Sequence, residues 1–60
     1  MSKEVDQENV TKAVQTSDLL LQDLQSIVRS DNLLLADIAI ELLEQSVKLQ
    51  QRLNRLGSIL

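Results

Sequence analysis

Sixty residues without cysteine, histidine, proline or any aromatic side chain exclude a disulfide scaffold and argue against a zinc centre or a histidine-based triad; they leave room for one small domain spanning residues 1–60. The net charge is −3, from nine acidic and six basic residues, which disfavours a dedicated nucleic-acid binder or a partner membrane of anionic lipid. With Gly57 as its only glycine, the chain lacks the turn punctuation of strand folds, so helix is the default.

A chain this short buries only about 60% of its unfolded surface on folding. Disulfides, a metal or a partner subunit usually make up the deficit, and the composition leaves the partner subunit. The opening MSKEVDQENV is polar and mixed in charge, unlike a signal peptide. The apolar-rich run Leu33 to Leu43 is too short to span a bilayer and carries Asp37 and Glu41. A cytoplasmic protein without membrane association is expected.

The first helix is expected over about residues 3–29, capped by Ser2, with Asp6 or Asn9 as later alternatives. Its main stripe steps through Val10, Ala13, Ser17, Leu20, Leu24 and Ile27, with Val14, Leu21 and Val28 beside it. Leu19 lies off the stripe. Arg29-Ser30-Asp31-Asn32 interrupts the pattern, and its last three residues are short polar side chains that favour turns and caps. The turn is placed at about residues 30–32, with Ser30 or Asp31 capping a second helix over about residues 32–56. That helix has a main stripe of Leu35, Ala39, Leu42, Ser46, Leu49, Leu53, Leu56 and Leu60. A second stripe, Leu33, Ala36, Ile40, Leu43 and Val47, runs beside it, and Ile38 widens the first. Gly57 reads as a helix stop.

So short a connection makes the helices antiparallel neighbours. Folded about residue 31, Leu20 faces Leu42, Ala13 faces Leu49, Val10 faces Leu53, and Ser17 meets Ser46 as a small polar layer. The acidic start of the first helix (Glu4, Asp6, Glu8) then lies beside the basic end of the second (Lys48, Arg52, Arg55). The main stripes cover one another, and the second stripe is left over. The expected fold is therefore all-α: an antiparallel, coiled-coil-like two-helix hairpin that dimerises into a four-helix bundle. The expected interface is Leu33, Ala36, Ile40, Leu43 and Val47, with Leu56, Ile59 and Leu60 at the overhanging end.

Catalytic chemistry finds little footing. Asp37, Glu41 and Glu44 share a helix face, but charges along such a face are usually its solvated side. Glu41-Leu42-Leu43-Glu44 also lacks the histidine of a di-iron bundle motif. There is no glycine-rich phosphate loop. No enzyme, metal, cofactor or small-molecule substrate is expected. Lys48, Arg52 and Arg55, at i, i+4 and i+7, form one basic patch. A dimeric RNA-binding regulator is the rival reading, weakened by the absence of interleaved aromatics. The leading expectation is a small, self-associating protein-interaction module acting as an adaptor, regulator or assembly factor.

Overall fold

The computed structural model describes residues 2–60, which form two helices, α1 (Lys3–Val28) and α2 (Leu33–Ile59), with no strand among them. They lie side by side in a rod of 46 × 14 × 13 Å. Hydroxyl residues are tolerated inside the helices because they bond back one turn: Thr16 Oγ1 donates to the Lys12 carbonyl at 2.9 Å, and Ser26 Oγ to that of Gln22 at 3.2 Å.

At the end of α1 the ladder tightens, with the Arg29 and Ser30 amides donating to the carbonyls of Ser26 and Ile27. Asn32, rather than Ser30 or Asp31, caps α2: its Oδ1 accepts the Leu35 amide at 3.2 Å, the cap-to-N3 geometry that a helix beginning at Leu33 requires. Ser30 instead closes the turn, its Oγ accepting the Asn32 amide. Ser2 occupies the cap position of α1, but its side chain makes no capping bond; its carbonyl accepts the Asp6 amide.

Gly57 does not stop the second helix, which continues to Ile59 without a left-handed residue. Gly57 faces α1 instead: a methyl group built on its Cα would stand 3.6 Å from Val10 Cγ1, an ordinary contact. Gly57→Ala is therefore expected to stabilise the protein by about 0.5–1 kcal/mol, by narrowing the unfolded ensemble. The melting temperature, followed by circular dichroism at fixed concentration, should rise by a few degrees, on the order of 4–8 °C per kcal/mol for a chain this size. A lower melting temperature would show that the helices are closer at this end than the structure has them.

Three contacts fix the antiparallel register. Gln50 Nε2 donates to Ser17 Oγ at 3.0 Å, Gly57 lies against Val10, and Gln7 Nε2 donates to the Leu60 carbonyl at 3.2 Å. Each pairs an α1 residue with an α2 residue about one turn later than folding about residue 31 implies. Ser17 meets Gln50, not Ser46, and Val10 meets Gly57, not Leu53. The cause is side-chain direction. Each Cα–Cβ bond tilts toward the N-terminus of its own helix. In an antiparallel pair those tilts are opposed, so side chains that touch do not sit at equal Cα heights.

The seam follows from this register. On α1 the buried or half-buried residues include Val10, Val14, Ser17, Leu21, Leu24 and Val28. On α2 they are Ala36, Ala39, Leu43, Ser46, Gln50, Leu53 and Leu60, with Gly57 in phase. Both rows step alternately by three and four, as packed helices of a coiled coil do. The α2 row runs between the two sequence stripes. Ala39 is 2% exposed, whereas Leu35 and Leu42, assigned by periodicity to the core, are 48% and 44% exposed. Small residues win the centre because helix backbones approach most closely where side chains are short, and the leucines then flank the contact.

Candidate protein-interaction surface

Turning α2 so that Ala36, Ala39 and Ser46 face α1 leaves a leucine row on one shoulder: Leu35, Leu42, Leu49 and Leu56, seven residues apart. On α1 the corresponding shoulder is Ala13, Leu20 and Ile27, also seven apart. Each row precedes the first seam position of its repeat by one residue. In antiparallel helices those two shoulders fall on the same side of the pair, because reversing one helix reverses the sense in which its residues wind as seen from a common end. A shallow depression at one end agrees with this, since Leu56 and Leu60 border it together with Asp6, Asn9 and Val10, and Asp6 belongs to the Ala13 row.

The hairpin thus carries one continuous apolar face drawn from both helices. Leu20, Ile27, Leu35, Leu42, Leu49 and Leu56 are between 36% and 49% exposed. Ile38, also exposed, borders it on α2. Single exposed leucines are ordinary on a protein surface, but a contiguous patch of this kind marks a contact site.

The residues expected at the interface divide. Ala36 is buried inside the hairpin and Leu43 half-buried, both on the seam. Leu60 is half-buried over the start of α1. Leu33, Ile40 and Val47 are exposed, but on the opposite shoulder from Leu42 and Leu49. Their α1 neighbours on that side are Thr11, Asp18 and Gln25, so the opposite shoulder is only half apolar. Leu56 lies on the apolar face, while Ile59 is exposed near the end of α2. Reasoning from the stripes missed Leu20, Ile27, Leu35, Leu42 and Leu49. The available signal was the heptad spacing of the smallest residues (Ala36, Ala39, Ser46, Gly57), which marks the line of closest approach.

The middle of the seam is polar. Gln50 donates to Ser17 Oγ and also to the Asp18 carboxylate, and the Ser17 hydroxyl donates to the Val14 carbonyl at 2.7 Å. Among the described residues no buried side-chain polar atom lacks a partner. Gln50, polar and beyond the end of the second stripe at Val47, is part of the helix contact.

The charged candidates remain on the outside. Lys48, Arg52 and Arg55 are exposed, and among the described residues none lies within ion-pair distance of a carboxylate. The expected pairing with Glu4, Asp6 and Glu8 is not formed: Glu8 pairs with Lys12 on its own helix at 3.3 Å, where an i, i+4 partner is already in reach. Asp37, Glu41 and Glu44 are exposed, and no group of three or more acidic side chains among the described residues gathers in a metal-holding arrangement. No described helix is long and apolar enough to cross a membrane. No family model matches the chain, and no curated protein or solved structure matches it either.

Proposed function

We propose that this chain is a non-enzymatic protein-interaction module that works as a self-associated hairpin, two copies forming a four-helix bundle. One observation carries the reading. The 6.7 kDa chain exposes 4853 Å², whereas a compact monomer of that mass exposes roughly 3,900 Å². The excess, roughly 900 Å², is close to the ~800 Å² that each partner contributes to a standard protein interface. It is the geometric cost of a two-helix rod, and the apolar face of Leu20, Ile27, Leu35, Leu42, Leu49 and Leu56 is the part of that rod best suited to contact.

The internal core supports the same reading. Leu24, Ala36 and Ala39 are its only buried apolar residues among those described, and a core of that size supplies little independent stability. Nucleic-acid binding through Lys48, Arg52 and Arg55 has weaker support, because three cations offer few phosphate contacts on a chain of net charge −3. Size-exclusion chromatography with light scattering tests the proposal. At micromolar concentration the mass should be twice that of the chain, with helix content that falls on dilution. A cooperatively folded monomer under those conditions refutes it.

A further inference from the structure

We propose that the outward side of α2 is a second self-association surface, on which another copy of the chain lays its own α2 antiparallel. Asp37, Glu41 and Glu44 step by four and then three, and so do Lys48, Arg52 and Arg55. Such steps keep to one side of a helix. The two sets share that side, because Glu41 and Arg52 are separated by about three full turns. Leu34 continues the stripe at one end and Ile59 at the other. The seam of Ala39, Leu43, Ser46 and Gln50 runs along the reverse of α2, so the stripe points away from α1 and is clear of the leucine shoulder. Among the described residues, none of its six charged side chains lies within ion-pair distance of an opposite charge.

The stripe is its own complement. From Leu34 to Ile59 it runs apolar, three acids, three bases, apolar. A two-fold axis crossing α2 between Glu44 and Lys48 matches it position for position. Leu34 then meets the second copy's Ile59, Asp37 its Arg55, Glu41 its Arg52, and Glu44 its Lys48. A parallel pair would set acid on acid and base on base. Acids before bases also suit the dipole of a lone helix. The dipole does not account for the two ends, where Leu34 and Ile59 are 71% and 79% exposed at nearly equal distances from the centre. The outward side of α1 offers no such match, since Glu8 and Lys12 are paired with each other there.

Exposed ion pairs contribute little individually. This contact therefore forms at higher concentration than the leucine-face pair and weakens with salt. It does not depend on that pair. Where both surfaces act, the outer stripes join two pairs into four chains and leave a free stripe at each end.

Light scattering at about 0.1 M salt, where the screening length is about 10 Å, tests this. From micromolar to millimolar concentration the mass should climb from two chains toward four, and it should fall back in about 1 M salt. Glu41→Arg alone and Arg52→Glu alone should each move that climb to about tenfold higher concentration, because two symmetric pairs turn from attraction to repulsion. Both changes in one chain should restore it. Positions 41 and 52 are too far apart on one helix to touch, so the rescue reports a second copy. Both are exposed, and helix content by circular dichroism should match that of the unaltered chain. If a single variant loses helix, Asp37→Arg and Arg55→Asp make the same exchange. A mass that does not climb, single variants that leave the climb unmoved, or a double variant that fails to restore it overturns the contact. A climb from one chain to two, with the same rescue, overturns the leucine-face dimer and leaves the outer contact standing.

Discussion

A chain carrying Leu42→Glu and Leu49→Glu is expected to run as a monomer at micromolar concentration, where the proposed state of the unaltered chain is a dimer, and to lose much of its helix content with it. Both leucines are close to half exposed in the isolated hairpin, at 44% and 49%. Full burial of a leucine is worth about 1.5–3 kcal/mol, so the exposed half still holds about 1 kcal/mol to be gained on association. Two leucines in each of two copies make about 4 kcal/mol. That alone weakens the dimer about a thousandfold, before the further cost of bringing four carboxylates into an apolar contact. Leu19→Glu is the control: Leu19 is 61% exposed on the side of α1 away from the seam, and its substitution should leave the mass unchanged. Ile40→Glu distinguishes the two shoulders of α2. If the interface were the row of Leu33, Ile40 and Val47, this variant would fall apart while the Leu42/Leu49 variant remained dimeric. The structure favours the reverse, because only the leucine shoulder has an apolar row beside it on α1.

The two helices, their antiparallel turn and the excess of apolar surface were all legible in the residues. Alternating three- and four-residue spacing marks helix whichever way the helix is turned, and Ser30, Asp31 and Asn32 favour a turn or cap over its continuation. What periodicity did not resolve was rotation. On α2 the apolar arc is so wide that Leu35/Leu42/Leu49 and Leu33/Ile40/Val47 are equally good stripes, and counting hydrophobic residues selects the greasier one. The structure turns the helix to a third line between them, because Ala36, Ala39 and Ser46 let the backbones close. Register was missed for a related reason. Folding a chain on paper matches Cα heights, while contacts are made by side chains that lean in opposite directions. Gln50 illustrates both errors: polar, and beyond the end of the second stripe, it reads as surface, yet the true line and the true height bring it to Ser17. The candidate site shifted accordingly, from the outer shoulder of α2 to the face that α2 shares with α1.

The claim that small residues set the helix separation has its own test in Ala39→Leu. By composition the change is benign, since it strengthens an apolar stripe and leucine is nearly as good a helix former as alanine. In the structure Ala39 is 2% exposed and sits where α2 meets the last turns of α1. Three added carbons have no space there unless the helices separate. Overpacking of this kind costs about 1–3 kcal/mol, and the hairpin has little else in its core to absorb it. Loss of that size should lower the melting temperature by roughly 5–20 °C and reduce the urea midpoint. Ile38→Leu, one position away on an exposed side, should melt close to the unaltered chain. A stabilised Ala39→Leu would mean that the helices can spread without loss, and that the leucine rows rather than the alanines hold them together. The contrast with Gly57→Ala sharpens the test. At Gly57 a methyl group reaches ordinary contact distance from Val10 and no further, so one seam should accept a single carbon near its open end and reject an isobutyl group near the turn.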